Sequence, residues 1–348
     1  MHHDEPALRG AYEPVSDANL VRMAEQPTEY QGTTAFAGLN PTQLRVAEEL
    51  LAVGQERPVA DLSWATDLAS WLDEELHEHA GRIGPRQLWV TKSAIAGALG
   101  CEAQYVATKH DFRWTTGAAK GVIVHAAIAL AVGGSGADAH DLANAAFDEA
   151  ASEGALGAWL STLSVEERAM LVTESVVEIA AFLGSFPPLG TASNVAAEYR
   201  LAALVAHGKV RVSGRVDLAV GSPRREPDGA ITRRRILVEI KTGHRQAEHR
   251  AEHLTYALLE LLRVGVAPLR AATYYTQTGQ WAADDITFDL LFLAAVRLVD
   301  ATKRLIEMSD GREPTRRPGW RCGYCPLSGA CPDRVQSDGW LGDGNADR

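Results

Sequence analysis

The sequence predicts an α/β protein: a mixed central sheet flanked by helices, with a helical N-terminal half. Three observations carry this expectation. Amphipathic helical stretches fill the first half of the chain. Two later runs, 209–220 and Ile236–Thr242, alternate apolar and polar residues with the period of two that marks strands. Further helical stretches follow these runs, the order expected where helices pack on a sheet.

Taken in order, residues 1–35 are rich in Glu, Pro, Gly and Thr and are expected to form a loosely docked arm. Asn40-Pro41 opens the first helix, because Asn caps well and Pro suits a first turn. That helix continues through Leu44, Val46, Leu50 and Leu51. Leu68, Trp71, Leu72 and Leu76 stripe one face of a helix over Trp64–His79. Leu88-Trp89-Val90 is a short apolar run, after which Thr91 or Ser93 can cap a helix through Ile95 and Leu99. Helices follow over Lys120–Ala131, Ala139–Glu153 and Leu160–Leu183. Between the two strand runs, Gly221–Gly229 is polar and rich in turn formers. A helix over Gln246–Arg263, short strands over Thr273–Thr278 and Gln280–Asp285, and a helix over Phe288–Met308 complete the pattern. From Gly311 the chain is rich in Arg, Gly, Pro and Cys, and little but its cysteines is expected to hold it. No repeat of fixed period is found. The expected division is a helical extension over 1–85, a main domain over 86–335 and a tail over 336–348.

Composition excludes several classes. A hydrophobic fraction of 46% and a charged fraction of 23% suit a globular core over 348 residues. A net charge of −11 excludes a wholly basic coat for nucleic acid, but not a local basic groove. The first ten residues lack the basic and apolar regions of a signal peptide. The apolar stretches around Val122–Val132 and Leu290–Val296 are too short to span a bilayer. A soluble, cytoplasmic protein with no membrane contact is expected.

The chemistry concentrates in the strand runs. Val210, Val212, Val216, Leu218 and Val220 alternate with Arg211, Ser213, Arg215 and Asp217, which period two places on the opposite face. In the next run Glu239 and Lys241 point the same way from an otherwise apolar strand. Charges in such a strand are costly unless they are paired or bind metal. If the two strands pair, Asp217 lies beside Glu239, and two facing carboxylates make an Mg²⁺ or Mn²⁺ site. A solvated charged hairpin is the simpler alternative.

Gly214-Arg215-Val216-Asp217-Leu218 followed by Val238-Glu239-Ile240-Lys241-Thr242-Gly243 resembles the core of the PD-(D/E)XK nucleases, and most closely the RecB-like branch. That branch includes CRISPR-adaptation exonucleases and the nuclease domains of AddAB-type recombination enzymes. The resemblance implies a restriction-endonuclease-like core over 86–335 and metal-dependent cleavage of DNA. Asp217, Glu239 and the carbonyl of Ile240 would hold Mg²⁺ or Mn²⁺, with Lys241 stabilising charge on the phosphate. Gly121-Val122-Ile123-Val124-His125 resembles a Gly-x-x-x-His helix whose His reaches the metal; by itself, His125 among aliphatic residues suits a hydrogen-bonded core position. On the helix after the strand, the family carries Gln and Tyr four apart. Tyr256 matches, but Glu252 stands at the Gln position, to be offset by Arg245 or Arg250 or to contact a metal. Tyr256 and Glu252 would orient Lys241 or the scissile phosphate. Glu198 resembles an acidic residue that precedes the first strand in this branch, although a surface role suits it as well.

The four cysteines are Cys101 and the C-x2-C-x5-C run Cys322, Cys325 and Cys331. In a cytosolic chain, clustered cysteines argue for a metal, either zinc or iron and sulfur. One distant Cys followed by this run resembles the 4Fe–4S site of part of the RecB-like branch, with Ser93 opening the helix before Cys101. Arg215, Arg224, Arg225, Arg233, Arg234, Arg235 and Arg245 are expected to form a basic lip around the hairpin. The resemblance implies an exonuclease on single strands or ends, in DNA repair or antiviral defence. With no phosphate-binding G-x-x-x-x-G-K-[ST] loop, any helicase partner would be a separate chain. Two other classes stay open: a catalytically silent iron–sulfur nucleic-acid-binding module, and a structural subunit of a defence or repair complex.

Overall fold

A computed structural model describes residues 38–335 except 86, 111, 135, 153 and 190–193. The expected arm over 1–35 and the tail over 336–348 lie outside the described residues. Helix α1 (Pro41–Arg45) is capped by Asn40, whose side chain accepts from the Gln43 N–H while the Gln43 side chain returns to the Asn40 N–H. The chain then runs through a wide helical turn over Val46–Leu50 to α2 (Ser63–Ala80), β1 (Leu88–Thr91) and α3 (Lys92–Leu99), capped by Thr91. Helix α4 (Glu102–His110) follows, then α5 (Thr116–Val132), α6 (Ala139–Ser152), α7 (Gly154–Ser161) and α8 (Val165–Ser185).

The helix expected over Leu160–Leu183 is thus two helices. Ser164 breaks it by capping α8, accepting from the Glu167 N–H while Glu167 reaches back to the Ser164 N–H.

The sheet contains β1, β2 (Val195–Val205), β3 (Val210–Val220), β6 (Ile236–Lys241), β7 (Arg270–Tyr275) and β8 (Gln280–Asp285). A two-stranded hairpin, β4 (Arg224–Arg225) and β5 (Ile231–Thr232), lies in the turn between β3 and β6. Helix α9 (Glu248–Val264) connects β6 to its parallel neighbour β7, and α10 (Phe288–Ser309) follows β8. The sheet is mixed, as expected. Strand β2 was not foreseen: its Ala-rich sequence has weak strand propensity.

Strand β3 organises the molecule. β2 pairs antiparallel along its whole length. The other edge is shared: β1 runs parallel to its first part, from Val210 to Ser213, and β6 runs antiparallel to its last part, from Leu218 to Val220. The C-terminal ends of β1 and β6 therefore meet head to head near Gly214–Asp217.

Two hydrophobic clusters cover the sheet. One joins Leu68, Leu72 and Leu76 of α2 to α3, α9 and α10 over Val210, Val212 and Val216. The other joins α5, α6 and α8 over Leu218, Val220, Val238 and Ile240. The expected single apolar face of 210–220 is corrected here, because Val216 and Leu218 belong to different clusters. The face turns over at Asp217, opposite Glu198, whose φ of 52° lies in the left-handed region and interrupts the regular pleat. Among the described residues no helix is long and apolar enough to cross a membrane.

Gly214 lies under the buried ring of Tyr256. A Cβ there would fall 2.6 Å from Tyr256 Cε1, and Tyr256 is 1% exposed, so the ring has no room to retreat. Gly214→Ala is expected to lower stability by ~1–3 kcal/mol through overpacking, measured as a lower urea midpoint with an unchanged slope.

Candidate active site

Three acidic residues stand in a row across three strands. The register of β2 with β3 sets Glu198 opposite Asp217, and that of β3 with β6, carried one residue further, sets Glu239 on its other side. Helix α5 brings His125 to this row, its Gly121 passing Thr242 at the end of β6. His125 Nδ1 lies 2.8 Å from Asp217 Oδ1. The other Asp217 oxygen accepts the Ile240 N–H at 2.6 Å. Ligand atoms of His125, Glu198 and Asp217 all lie within 4.8 Å of one another. Glu198 also holds Arg215 at 2.6 Å.

Electrostatics sharpen this group. Burial alone would raise the Asp217 pKa, but His125, the Ile240 N–H and Lys92 outweigh it and keep the carboxylate low. Burial would lower the His125 pKa, and the Asp217 carboxylate overcomes it, so the imidazole is raised. Glu198 is raised, by burial first and by Asp217 second.

Beside the row lies a buried ladder of alternating charge. Glu239 is 3% exposed. Its Oε1 accepts from Lys92 Nζ at 2.5 Å and from Lys241 Nζ at 2.9 Å. Lys241 donates onward to Glu252 Oε2 at 2.7 Å, and Lys92 lies 3.3 Å from the same oxygen. Desolvation would lower both lysine pKa values, yet Glu239 and Glu252 hold them above the usual range. The second Glu239 oxygen is buried without a hydrogen-bond partner. A buried carboxylate oxygen left unpaired is costly unless a ligand takes it. The donors present, a carboxylate row with one imidazole beside that oxygen, suit a hard divalent cation.

The family model of the PD-(D/E)XK nuclease superfamily matches residues 90–332, the span that carries Asp217, Glu239 and Lys241. The chain belongs to the PD-(D/E)XK nuclease superfamily. Its members are nucleases that use divalent metals, and its mixed sheet with flanking helices is the architecture found here. Among solved structures the chain is similar to one described as "Crystal structure of SSO0001", at 15% identity and a TM-score of 0.33, over 77% of this chain and 96% of that one. A likeness so distant carries no argument. No curated protein matches.

In this member of the PD-(D/E)XK superfamily, the structure gathers His125, Asp217, Glu239, Lys241 and Glu252 in one cluster. Ile240 takes part through its N–H, hydrogen-bonded to Asp217. Tyr256 departs from expectation: its hydroxyl donates to the Arg215 carbonyl at 2.8 Å instead of meeting Lys241, and its ring lies 5.4 Å from Lys92 Nζ. Arg250 does not offset Glu252, because it pairs with Asp284. Lys92 does so, a residue whose role no local pattern announced. Glu198 lies within β2 rather than before the first strand.

The basic lip is also corrected. Arg233 is buried and donates to the carbonyls of Ala267, Pro268 and Ile286. Arg235 is buried against Glu260, Arg234 pairs with Glu226, and Arg215 pairs with Glu198. Arg233 and Arg235 are turned inward because the end of the turn that carries them folds against the body of the protein, whereas Arg215 on β3, Arg225 and Arg245 stay exposed.

The four cysteines, all thiols, line one small cavity. The Arg317 N–H points to Cys101 Sγ and the Gly319 N–H to Cys322 Sγ, each at 3.5 Å. The Gly319 and Val335 N–H groups lower the Cys322 pKa, whereas burial, then the other three sulfurs, raise that of Cys325. The expectation that little else holds this segment fails. Glu102, at the start of α4, accepts two hydrogen bonds from the Arg312 guanidinium at 2.8 and 2.9 Å. It also accepts from the Thr315 N–H and hydroxyl. The Trp320 indole donates to Glu248 at 3.2 Å.

Glu102 is 1% exposed, and the Arg312 hydrogen bonds hold its pKa down to about 2. The unfolded value is higher, so this tie stabilises the fold above that value and is lost as pH falls toward about 2. Glu102→Gln is expected to lower stability at pH 7 by roughly 2–3 kcal/mol. The gap to the parent should narrow between pH 5 and pH 3, as read by urea unfolding at each pH.

Proposed function

We propose that the chain is a metal-dependent DNA exonuclease of the RecB-like type, acting on single strands or ends. The observation that carries this is the junction of the acidic row with the charge ladder: His125, Glu198 and Asp217 within mutual ligand distance, next to a partnerless Glu239 oxygen and beside Lys241. Asp217, His125 and Glu239, with Glu198 added from the structure, would hold Mg²⁺ or Mn²⁺, and the Ile240 carbonyl is the further donor that the resemblance suggests. When bound, the ion supplies Lewis acidity toward the phosphoryl oxygens and a nucleophilic water at neutral pH.

The protein's own part is positioning and charge. Asp217 is held ionised by the Ile240 N–H, and His125 is fixed against it. Lys241, set between Glu239 and Glu252, stays cationic and neutralises charge developing on the phosphate. Glu252 orients Lys241. Tyr256 supports Lys92 from below and holds β3 through the Arg215 carbonyl.

In the knuckle we assign a structural 4Fe–4S cluster to Cys101, Cys322, Cys325 and Cys331. The four sulfurs lining one cavity and the backbone N–H groups aimed at Cys101 and Cys322 support a thiolate-held cluster. Single-strand or end preference, and a place in DNA repair or antiviral defence beside a separate helicase or other subunits, rest on the sequence resemblance.

Purified protein with Mg²⁺ or Mn²⁺ should digest labelled single strands, and strands blocked at the 5′ or 3′ end should report polarity. Lys241→Ala and Asp217→Ala should each lower the rate by ~10²–10³-fold while the thermal melt persists. Undiminished cleavage by Lys241→Ala would sink the assignment. No digestion by a folded, cluster-bearing parent would favour a catalytically silent binding module.

Cys101→Ala should lose the brown colour of the anaerobically purified protein. A colourless parent with stoichiometric zinc would replace the iron–sulfur assignment.

A further inference from the structure

We propose that the groove between α3, α9 and the cysteine knuckle binds the backbone of a single-stranded nucleic acid as it leaves the candidate active site. The proposal rests on the nuclease function above and extends it to how the strand is held.

The groove encloses about 320 Å³ and begins at Lys92 and Glu252, on the outer side of the charge ladder. Arg317 and Arg321 of the knuckle also line it, with Arg297 of α10. That volume sits at the small end of the ~300–1,000 Å³ range of ligand sites.

The charges favour a polyanion. Arg297 has no hydrogen-bond or ion-pair partner among the described residues. The Arg321 guanidinium lies over the ring of Trp320, at 5.0 Å. Arg317 uses one nitrogen on the Leu99 carbonyl at 2.9 Å. The two carboxylates of the groove are already engaged: Glu252 by Lys241 and Lys92, Glu248 by the Trp320 indole. What remains is a line of guanidinium groups, each able to take a phosphate through paired hydrogen bonds. Between them, Ile95 and Leu99 give an apolar floor on which a sugar can rest. With a net charge of −11, the remaining surface repels a polyanion, so a local cationic channel decides where the strand runs. Of the arginines that sequence proximity assigned to a lip, Arg233 and Arg235 are buried and Arg234 pairs with Glu226, so this channel is one cationic approach to Lys92.

The experiment is anisotropy of a fluorescent oligothymidylate on the full chain, without divalent metal, across a salt series. Arg297→Gln and Arg321→Gln should each weaken binding several-fold. Each should also reduce the slope of log affinity against log salt by ~0.7, the loss of one phosphate contact on a single strand. Arg297→Lys should keep the slope. Arg225→Gln, on the β4–β5 hairpin, should change neither quantity. Arg297 lies on a helix away from the cysteines, so its variant decides the matter if Arg321→Gln loses its cluster. A parental affinity and slope in Arg297→Gln would overturn the groove, and DNA cleavage by the parent would then leave the nuclease function standing. Binding through the groove with no cleavage in Mg²⁺ or Mn²⁺ would overturn the nuclease function and keep the groove.

Discussion

The shared edge of β3 is the constraint on which the rest of the site depends. β2 pairs with one edge along its whole length, but neither β1 nor β6 reaches along the other. Where their C-terminal ends meet, the ladder of backbone hydrogen bonds stops, and side chains take the space. Lys92 follows the last residue of β1, and Lys241 is the last of β6. Both ammonium groups converge on the buried carboxylate of Glu239, whose burial would be costly without partners. Gly214, in β3 at this junction, has no side chain because the Tyr256 ring fills that place.

Charge balance explains the departure at position 252. A neutral amide there would leave two lysines facing one carboxylate. Glu252 supplies the second acid, and its pKa is lowered because Lys92 and then Lys241 outweigh the cost of its burial. Lys92 and Glu252 are therefore best understood as a pair. The acidic residue does not simply add repulsion near a phosphate, because its charge is already matched within the protein.

The knuckle is tied to the body of the protein by two independent means. One is the set of thiols from both ends of the domain. The other is Glu102, directly after Cys101, which gathers Arg312 and Thr315 in a buried network. The second tie needs no metal to hold the C-terminal segment in place. It also carries Arg317 and Arg321 to the groove beside Lys92. The α4 helix start thus links the cysteine site to the candidate active site through short covalent distances.

Much of this was legible in the sequence. Glu239 and Lys241 share a side because residues two apart on a regular strand do. Thr91 and Asn40 cap helices because their side chains reach N–H groups three residues on. The C-x2-C-x5-C spacing marked Cys322, Cys325 and Cys331 as one group. These features are determined by covalent geometry over a few residues, so the sequence by itself suffices for them. The tertiary structure alone decided that Lys92 meets Glu239 across 147 residues, that Glu198 joins the acidic row from an Ala-rich strand, and that the alternation turns over at Asp217. It also decided that the arginines of 233–235 turn inward to carbonyls and acids. The reason is physical: which charges pair depends on which strand edges meet and how much water they lose on meeting, and no short stretch of chain carries either quantity.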